Sequence, residues 1–121
     1  MARILIVDDE AGIRTILEHA LAGAGYEVVA AETGREGIQK HQATPVDLII
    51  VDVFMPDQDG LETITLLRQY SPNLPIIAMS GKDPSGAFLT IARQLGAARV
   101  LDKPFDADTL LKMVQELLPS K

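Results

Sequence analysis

The chain has 121 residues, 47% of them hydrophobic and 23% charged, which suits one globular domain with a real core and excludes intrinsic disorder. Seventeen acidic against 11 basic side chains give a net charge of −6, a sign that opposes direct binding to nucleic acid or an anionic membrane and favours a cation or a basic partner patch. There is no cysteine, which excludes disulfides, thiolate metal sites and cysteine nucleophiles.

Met1-Ala2-Arg3 leads straight into the apolar run Ile4 to Val7, too short for a signal-peptide core. No later run reaches membrane-spanning length, so the protein reads as soluble and cytoplasmic. The first strand is expected over Arg3 to Val7. After Asp8-Asp9-Glu10, a helix carries Ile13, Ile16, Leu17, Ala20, Leu21 and Ala24 as one stripe, closed by Gly25. A second strand over Glu27 to Ala31 precedes a weaker helix, opened by the capping box Thr33–Glu36 and ended before Pro45.

The third strand, Asp47 to Val51, runs into Asp52; Asp59 with Glu62 then opens a helix carrying Leu61, Ile64, Leu67 and Tyr70. The fourth strand, Leu74 to Met79, runs into Ser80-Gly81. Asp83 with Pro84 is expected to start the next helix, which carries Phe88, Ile91, Ala92 and Leu95 and stops at Gly96. The fifth strand, Arg99 to Leu101, runs into Asp102-Lys103-Pro104, and Asp106 caps a last helix with Leu110, Val114 and Leu117 on one stripe.

Three of the strands are continuously apolar, as parallel strands covered on both faces are. Five strand–helix units with no linker or repeat predict a single α/β domain over residues 1–121, with a parallel sheet and right-handed crossovers. Periodicity leaves the strand order open.

Ligands of open α/β sheets bind outside the carboxyl ends of the strands. Here those ends deliver Asp8, Asp9, Asp52, Ser80 and Lys103 to one rim. Gathered carboxylates repel one another unless a cation intervenes. Hard oxygen ligands without His or Cys favour Mg²⁺ or Mn²⁺. A cation, the Lys103 ammonium and the Ser80 hydroxyl together suit a tetrahedral dianion such as phosphate, which a carboxylate attacks without needing a general base. Singly, each residue has a plainer role: helix cap for Asp8-Asp9, turn residue for Asp52, cap for Ser80, solvated surface for Lys103. Their conjunction at strand ends favours the site.

The segments Ile4-Leu5-Ile6-Val7-Asp8-Asp9-Glu10, Asp52-Val53-Phe54-Met55-Pro56-Asp57-Gln58-Asp59-Gly60, Met79-Ser80-Gly81 and Asp102-Lys103-Pro104-Phe105 carry a resemblance. Their spacing adds to it: 43 positions from Asp9 to Asp52, 28 more to Ser80 and 23 more to Lys103. Over essentially its whole length the chain resembles the receiver domain of bacterial two-component response regulators, of the CheY-like, flavodoxin-like family.

The resemblance implies a doubly wound five-stranded sheet of order 2-1-3-4-5 with five helices. It implies a phosphorelay role in which Asp52 accepts a phosphoryl group from a phosphohistidine. Asp9 would bind Mg²⁺ (or Mn²⁺) directly, Asp8 mainly through water, and the Phe54 main-chain carbonyl would be a further metal ligand beside Asp52. Ser80 would hydrogen-bond the phosphoryl oxygen, Lys103 would pair with it, and Pro104 would follow a cis peptide bond. The implied partners are a sensor histidine kinase or histidine phosphotransfer protein, and a downstream effector or output domain on the face of the fourth helix, fifth strand and fifth helix. Leu111 and Leu118 add apolar surface to that last helix. The sequence fits both a stand-alone regulator and the receiver of a longer protein.

The chain departs from the family pattern at Val100, where an aromatic switch residue is usual; Phe88 and Phe105 are the nearest rings, and packing is the plainer role for both. Without the ring, a docking-only receiver with little phosphorylation-dependent switching is an alternative. An aspartyl-phosphate phosphohydrolase is disfavoured, because Phe54 stands where such enzymes carry a second aspartate. A flavin or nucleotide module is disfavoured by the acidic first loop. Gly81, where Ala is common, adds loop freedom; Lys82 flanks the pocket and reads best as a solvated loop lysine. His19 and His41 fall on helices away from the strand ends, where a surface or packing role is expected. Apolar Phe54 is expected to shield the acyl phosphate from water, so Phe54→Asn should shorten its lifetime in a dephosphorylation time course. A longer lifetime would count against that shielding.

Overall fold

The computed structural model describes residues 1–53, 60–81 and 86–118. Five strands and five helices alternate along the chain: β1 (Arg3–Val7), α1 (Ala11–Gly23), β2 (Glu27–Ala31), α2 (Gly34–Ala43), β3 (Leu48–Asp52), α3 (Gly60–Tyr70), β4 (Ile76–Ser80), α4 (Ala87–Leu95), β5 (Arg99–Asp102) and α5 (Ala107–Leu117). All neighbouring strands are parallel, and the order is β2-β1-β3-β4-β5. The order reverses between β1 and β3, which places a crevice at their carboxyl ends.

The apolar strand runs follow from burial on both faces. Leu5, Val7, Ile49, Val51, Ile76 and Ala78 point to a core that also holds Ile64 and Leu67 of α3 and Leu89 and Ala92 of α4. Their neighbours Ile4, Ile6, Leu48, Ile50, Ile77 and Met79 point to the opposite core, with Leu17 and Leu21 of α1 and Leu110 and Val114 of α5. Successive side chains of a strand alternate between faces, so these three central strands feed both layers.

Several local expectations are met with differences. Gly25 takes a positive φ of 97° just past the end of α1, where Tyr26 N–H donates to the Leu21 carbonyl and Gly25 N–H to Ala22. Thr33 caps α2 by accepting from the Glu36 N–H at 3.1 Å, whereas the Glu36 side chain accepts from Glu32 N–H at 2.8 Å, one residue before the position a capping box uses. Asp106 is the N-cap of α5 without a side-chain cap bond. The fourth helix starts at Ala87 behind Gly86, which has a φ of 72°, later than Asp83-Pro84 implies. Asp59, Lys82, Asp83 and Pro84 lie outside the described residues.

Three of the large stripe residues, Ile16, Tyr70 and Ile91, are exposed. Each sits at the margin of its helix's apolar arc, and the buried arc is narrower than the sequence stripe because each helix rests on only part of the sheet. Leu111 and Leu118 pack partly buried against the α1–α5 core, so ordinary packing accounts for them. Val100 and Phe88 pack against one core and Phe105 against the other. Among the described residues, no helix is long and apolar enough to cross a membrane.

At the amino-terminal rim of the sheet, His41 is buried and tied at both nitrogens. Its Nδ1 accepts from Val46 N–H at 3.0 Å, which leaves Nε2 to donate to Ser71 Oγ at 2.8 Å. The ring meets Tyr70 edge-on at 5.8 Å. Burial lowers the His41 pKa below its ordinary 6.5. The unfolded chain therefore takes up the proton first as pH falls. The stability held by neutral His41 is complete above pH 6.5 and declines as pH drops through the folded-state value. Urea unfolding of wild type and His41→Asn, followed from neutral pH downward, is expected to show a steeper loss in the wild type beginning below pH 6.5. Parallel profiles would refute this.

Candidate functional site

The carboxyl ends of β1, β3, β4 and β5 bring the expected residues together. Asp52 and Ser80 are the last residues of their strands, and Asp52 pairs with Met79 and Ser80 with Asp102 in the ladder. A carboxylate and a hydroxyl held in a ladder have less freedom than the same groups in a loop. Asp8 follows β1 directly, its N–H donating to the Ala31 carbonyl at 3.1 Å. Asp8, Asp52 and Ser80 are all at least 97% buried, unusual for carboxylates and a sign that specific partners hold them.

Lys103 is the common partner. Its Nζ lies 2.9 Å from Asp8 Oδ2, 3.0 Å from Asp52 Oδ2 and 3.5 Å from Glu10 Oε1. Its own N–H donates to the Ser80 carbonyl at 2.9 Å, tying β5 to β4 beside the site, and the Lys103–Pro104 peptide is cis. Burial alone would lower the Lys103 pKa; its hydrogen bonds to Asp8 and Asp52 and the charges of those carboxylates outweigh it and hold the ammonium above its ordinary value.

Two glycines set the approach. A Cβ on Gly60 would lie 2.2 Å from the Asp52 carbonyl oxygen, so α3 can press on the end of β3 only with glycine there. A Cβ on Gly81 would stand 3.1 Å from Lys103 Cβ, so glycine lets the lysine stem pass close to the end of β4.

Asp8, Asp9, Glu10 and Asp52 each offer a carboxylate oxygen within 4.8 Å of the others. Among the described residues these four carboxylates stand around the Lys103 ammonium, and a donor set of oxygen alone fits a hard divalent cation. Beside them, Ser80 Oγ is buried with no hydrogen-bond partner among the described residues. A buried hydroxyl without a partner costs stability, so its retention fits an acceptor that arrives with a ligand. Phe54, whose main-chain carbonyl is the remaining expected metal ligand, lies outside the described residues.

Two contributors were not singled out by sequence reasoning. Glu10 joins the carboxylate cluster, and its position directly after Asp8-Asp9 was the available signal. Arg14, on the first turns of α1, donates from Nη1 to the Asp8 carbonyl oxygen at 2.7 Å; nothing in the stripe pattern marks it. Between the start of α1 and the chain leaving β5, a groove of about 410 Å³ opens on the site, lined by Glu10, Ile13, Ile16, Lys103 and Phe105 among others. His19 is exposed and His41 belongs to the opposite rim.

The comparisons with known proteins bear on the family and the fold. The family model for the response regulator receiver domain matches residues 4–115. The alkaline phosphatase synthesis transcriptional regulatory protein PhoP of Bacillus subtilis is 35% identical over 116 residues, 96% of this chain and 48% of that protein. The DNA-binding transcriptional regulator NtrC of Escherichia coli is 36% identical over 115 residues, 95% of this chain and 24% of its own length. The chain thus spans from about half to a quarter of the length of these relatives. Chemotaxis protein CheY4 of Vibrio cholerae superposes with a TM-score of 0.89 at 39% identity, covering 97% of this chain and 98% of its own. A CheY-like receiver domain protein from Methanospirillum hungatei gives a TM-score of 0.92 at 30% identity, covering 98% and 94%.

Removing the unpartnered hydroxyl should relieve its burial cost. Ser80→Ala is expected to leave stability unchanged or raise it by about 1 kcal/mol in urea unfolding. A loss of stability would mean that the hydroxyl already has a partner in the resting fold.

Proposed function

The chain belongs to the response regulator receiver family, and from that premise we propose that it is a phosphorelay switch whose phosphoacceptor is Asp52. The observation that carries the reading is the pairing of buried Asp52 with Lys103 at 3.0 Å, beside the unpartnered Ser80 Oγ and within a cluster of three further carboxylates. In the proposed transfer an Asp52 carboxylate oxygen attacks the phosphorus of a phosphohistidine. The new P–O bond forms as the P–N bond breaks, and the imidazole leaves with the electron pair. Lys103 Nζ meets the charge on the phosphoryl oxygens, and Ser80 Oγ donates to one of them. Asp8, Asp9 and Asp52, with the Phe54 carbonyl, would hold Mg²⁺ or Mn²⁺, which when bound supplies positive charge to the transferring group.

The donor is a sensor histidine kinase or a histidine phosphotransfer protein, for which the groove beside Lys103 offers an apolar edge at the rim. The readout is a change of partner affinity at the α4–β5–α5 face, where Ile91 is exposed on α4. The new phosphoryl charge draws Ser80 and Lys103 toward Asp52. Val100 packs, partly buried, against the core opposite Ala78, so no ring at that position takes part. We assign the chain to the cytoplasm as a signalling module that turns over no substrate besides its own acyl phosphate, with residues 1–121 as one receiver domain. The net charge of −6 argues against nucleic acid or membrane contact by these residues, and leaves open what an attached output domain binds.

Incubation with Mg²⁺ and a small-molecule phosphodonor is expected to add one phosphoryl group by intact mass. Asp52→Asn should abolish the adduct and Lys103→Met should impair partner switching while Asp52 is still modified. An unmodified wild type under conditions that label another receiver, or an unchanged adduct on Asp52→Asn, overturns the proposal.

A further inference from the structure

We infer that Arg14 is a positioning residue for the cation site, holding the peptide between Asp8 and Asp9 so that both carboxylates face the cluster in one geometry. The inference rests on the receiver reading of that cluster. Arg14 is placed against the electrostatics of its own helix: a cation in the first turns of α1 faces the positive end of the helix dipole. Its guanidinium turns back to the rim instead, donating from Nη1 to the Asp8 carbonyl oxygen at 2.7 Å, with Nη2 3.6 Å from Glu32 Oε1.

With that bond, every polar group of Asp8 is held. Its N–H donates to Ala31, its carbonyl accepts from Arg14, its Oδ1 accepts from Glu10 N–H at 2.9 Å and its Oδ2 pairs with Lys103. Lys103 is shared among three carboxylates, so its hold on Asp8 weakens when a divalent cation takes up the same oxygens. The chain leaves the sheet at Asp8, and no ladder fixes the peptide plane that follows. Arg14 fixes that plane, and the plane directs Asp9 as well as Asp8. Glu32 steadies the guanidinium from the exit of β2, where its N–H is bound by Glu36 at 2.8 Å and Glu36 in turn pairs with Lys40 at 3.1 Å.

A purely electrostatic role for Arg14 has the opposite sign, because a guanidinium beside the cluster repels a cation and its removal tightens binding. The two roles therefore separate in a direct measurement of cation affinity. The experiment is calorimetric titration of the unphosphorylated chain with Mn²⁺, on wild type, Arg14→Ala, Arg14→Lys and Glu32→Gln, with urea midpoints as the folding control. Arg14→Ala is expected to weaken Mn²⁺ binding about tenfold, as loss of a group that orients metal ligands does. Arg14→Lys keeps the charge and loses the fork, and is expected to fall between the two. Glu32→Gln should stay within about twofold, since Glu32 is mostly exposed.

Wild-type or tighter affinity in Arg14→Ala overturns the inference. Should Arg14→Ala fail to fold, Arg14→Lys carries the test, and wild-type affinity there overturns it. A wild type that binds no Mn²⁺ overturns the receiver reading of the cluster itself, and the inference with it.

Discussion

Two carboxylates buried side by side are unfavourable unless a positive charge stands between them. Asp8 and Asp52 are held that way by one ammonium, Lys103 Nζ, at 2.9 and 3.0 Å. The three residues come from the ends of three different strands, 95 and 51 positions apart in sequence. The pairing therefore exists only if β1, β3 and β5 end at one rim in the observed order. Glycines at 60 and 81 let α3 and the Lys103 stem come close enough. An ammonium on a flexible stem neutralises without locking, which a planar, forked guanidinium would not do so readily. The carboxylates are thus stabilised in the fold by a partner that a cation or a phosphoryl group, on the proposed reading, would share.

The two rims of the sheet differ in how their polar groups are satisfied. At the amino-terminal rim Arg3 N–H donates to Asp47 at 2.7 Å, the Arg3 side chain pairs with Glu27 at 2.6 Å, and His41 is bonded through both nitrogens. At the carboxyl-terminal rim there is surplus negative charge and a buried, unpartnered Ser80 Oγ. The other buried atom without a partner among the described residues, Arg68 Nε, belongs to a guanidinium whose terminal nitrogens donate to the Ser71, Pro72 and Gly96 carbonyls. It is a minor deficit in a satisfied group. Unspent polarity is concentrated where the parallel topology opens its crevice.

The strands, their parallel pairing and the rim that carries Asp8, Asp52, Ser80 and Lys103 were legible because they depend on local patterns. A run apolar on both faces can only be a covered strand, and the residue after it must be at a strand end. The boundaries moved by one residue where it mattered, since Asp52 and Ser80 belong to the ladder and not to the loops. Arg14, Gly60 and the burial of His41 were not legible. Each depends on how the chain folds back on itself, which no residue pattern shows: Arg14 reaches back to the Asp8 carbonyl, Gly60 lies against the Asp52 carbonyl, and His41 bonds Val46 and the more remote Ser71. Ile16 and Tyr70 satisfied the helical period yet face out, because a period fixes which residues share a side and not how wide the covered arc is.

The place of Val100 bears on how a modified Asp52 could be sensed. Val100 lies opposite Ala78 in the ladder and packs, partly buried, against the core, and its aliphatic side chain carries no ring to swing. Among the described residues, the groups beside Asp52 that a new charge would engage are polar: the Lys103 ammonium, shared among carboxylates, and the Ser80 hydroxyl, which has a hydrogen bond to gain. Ser80 ends β4, its carbonyl accepts from the Lys103 N–H, and α4 follows behind Gly86 at a φ of 72°. On the proposed reading, a charge on Asp52 that draws Ser80 inward acts on the ends of β4 and β5 together, through that backbone bond. The polar couple of Ser80 and Lys103 between two strand ends, on that same reading, takes the part that a ring at position 100 cannot.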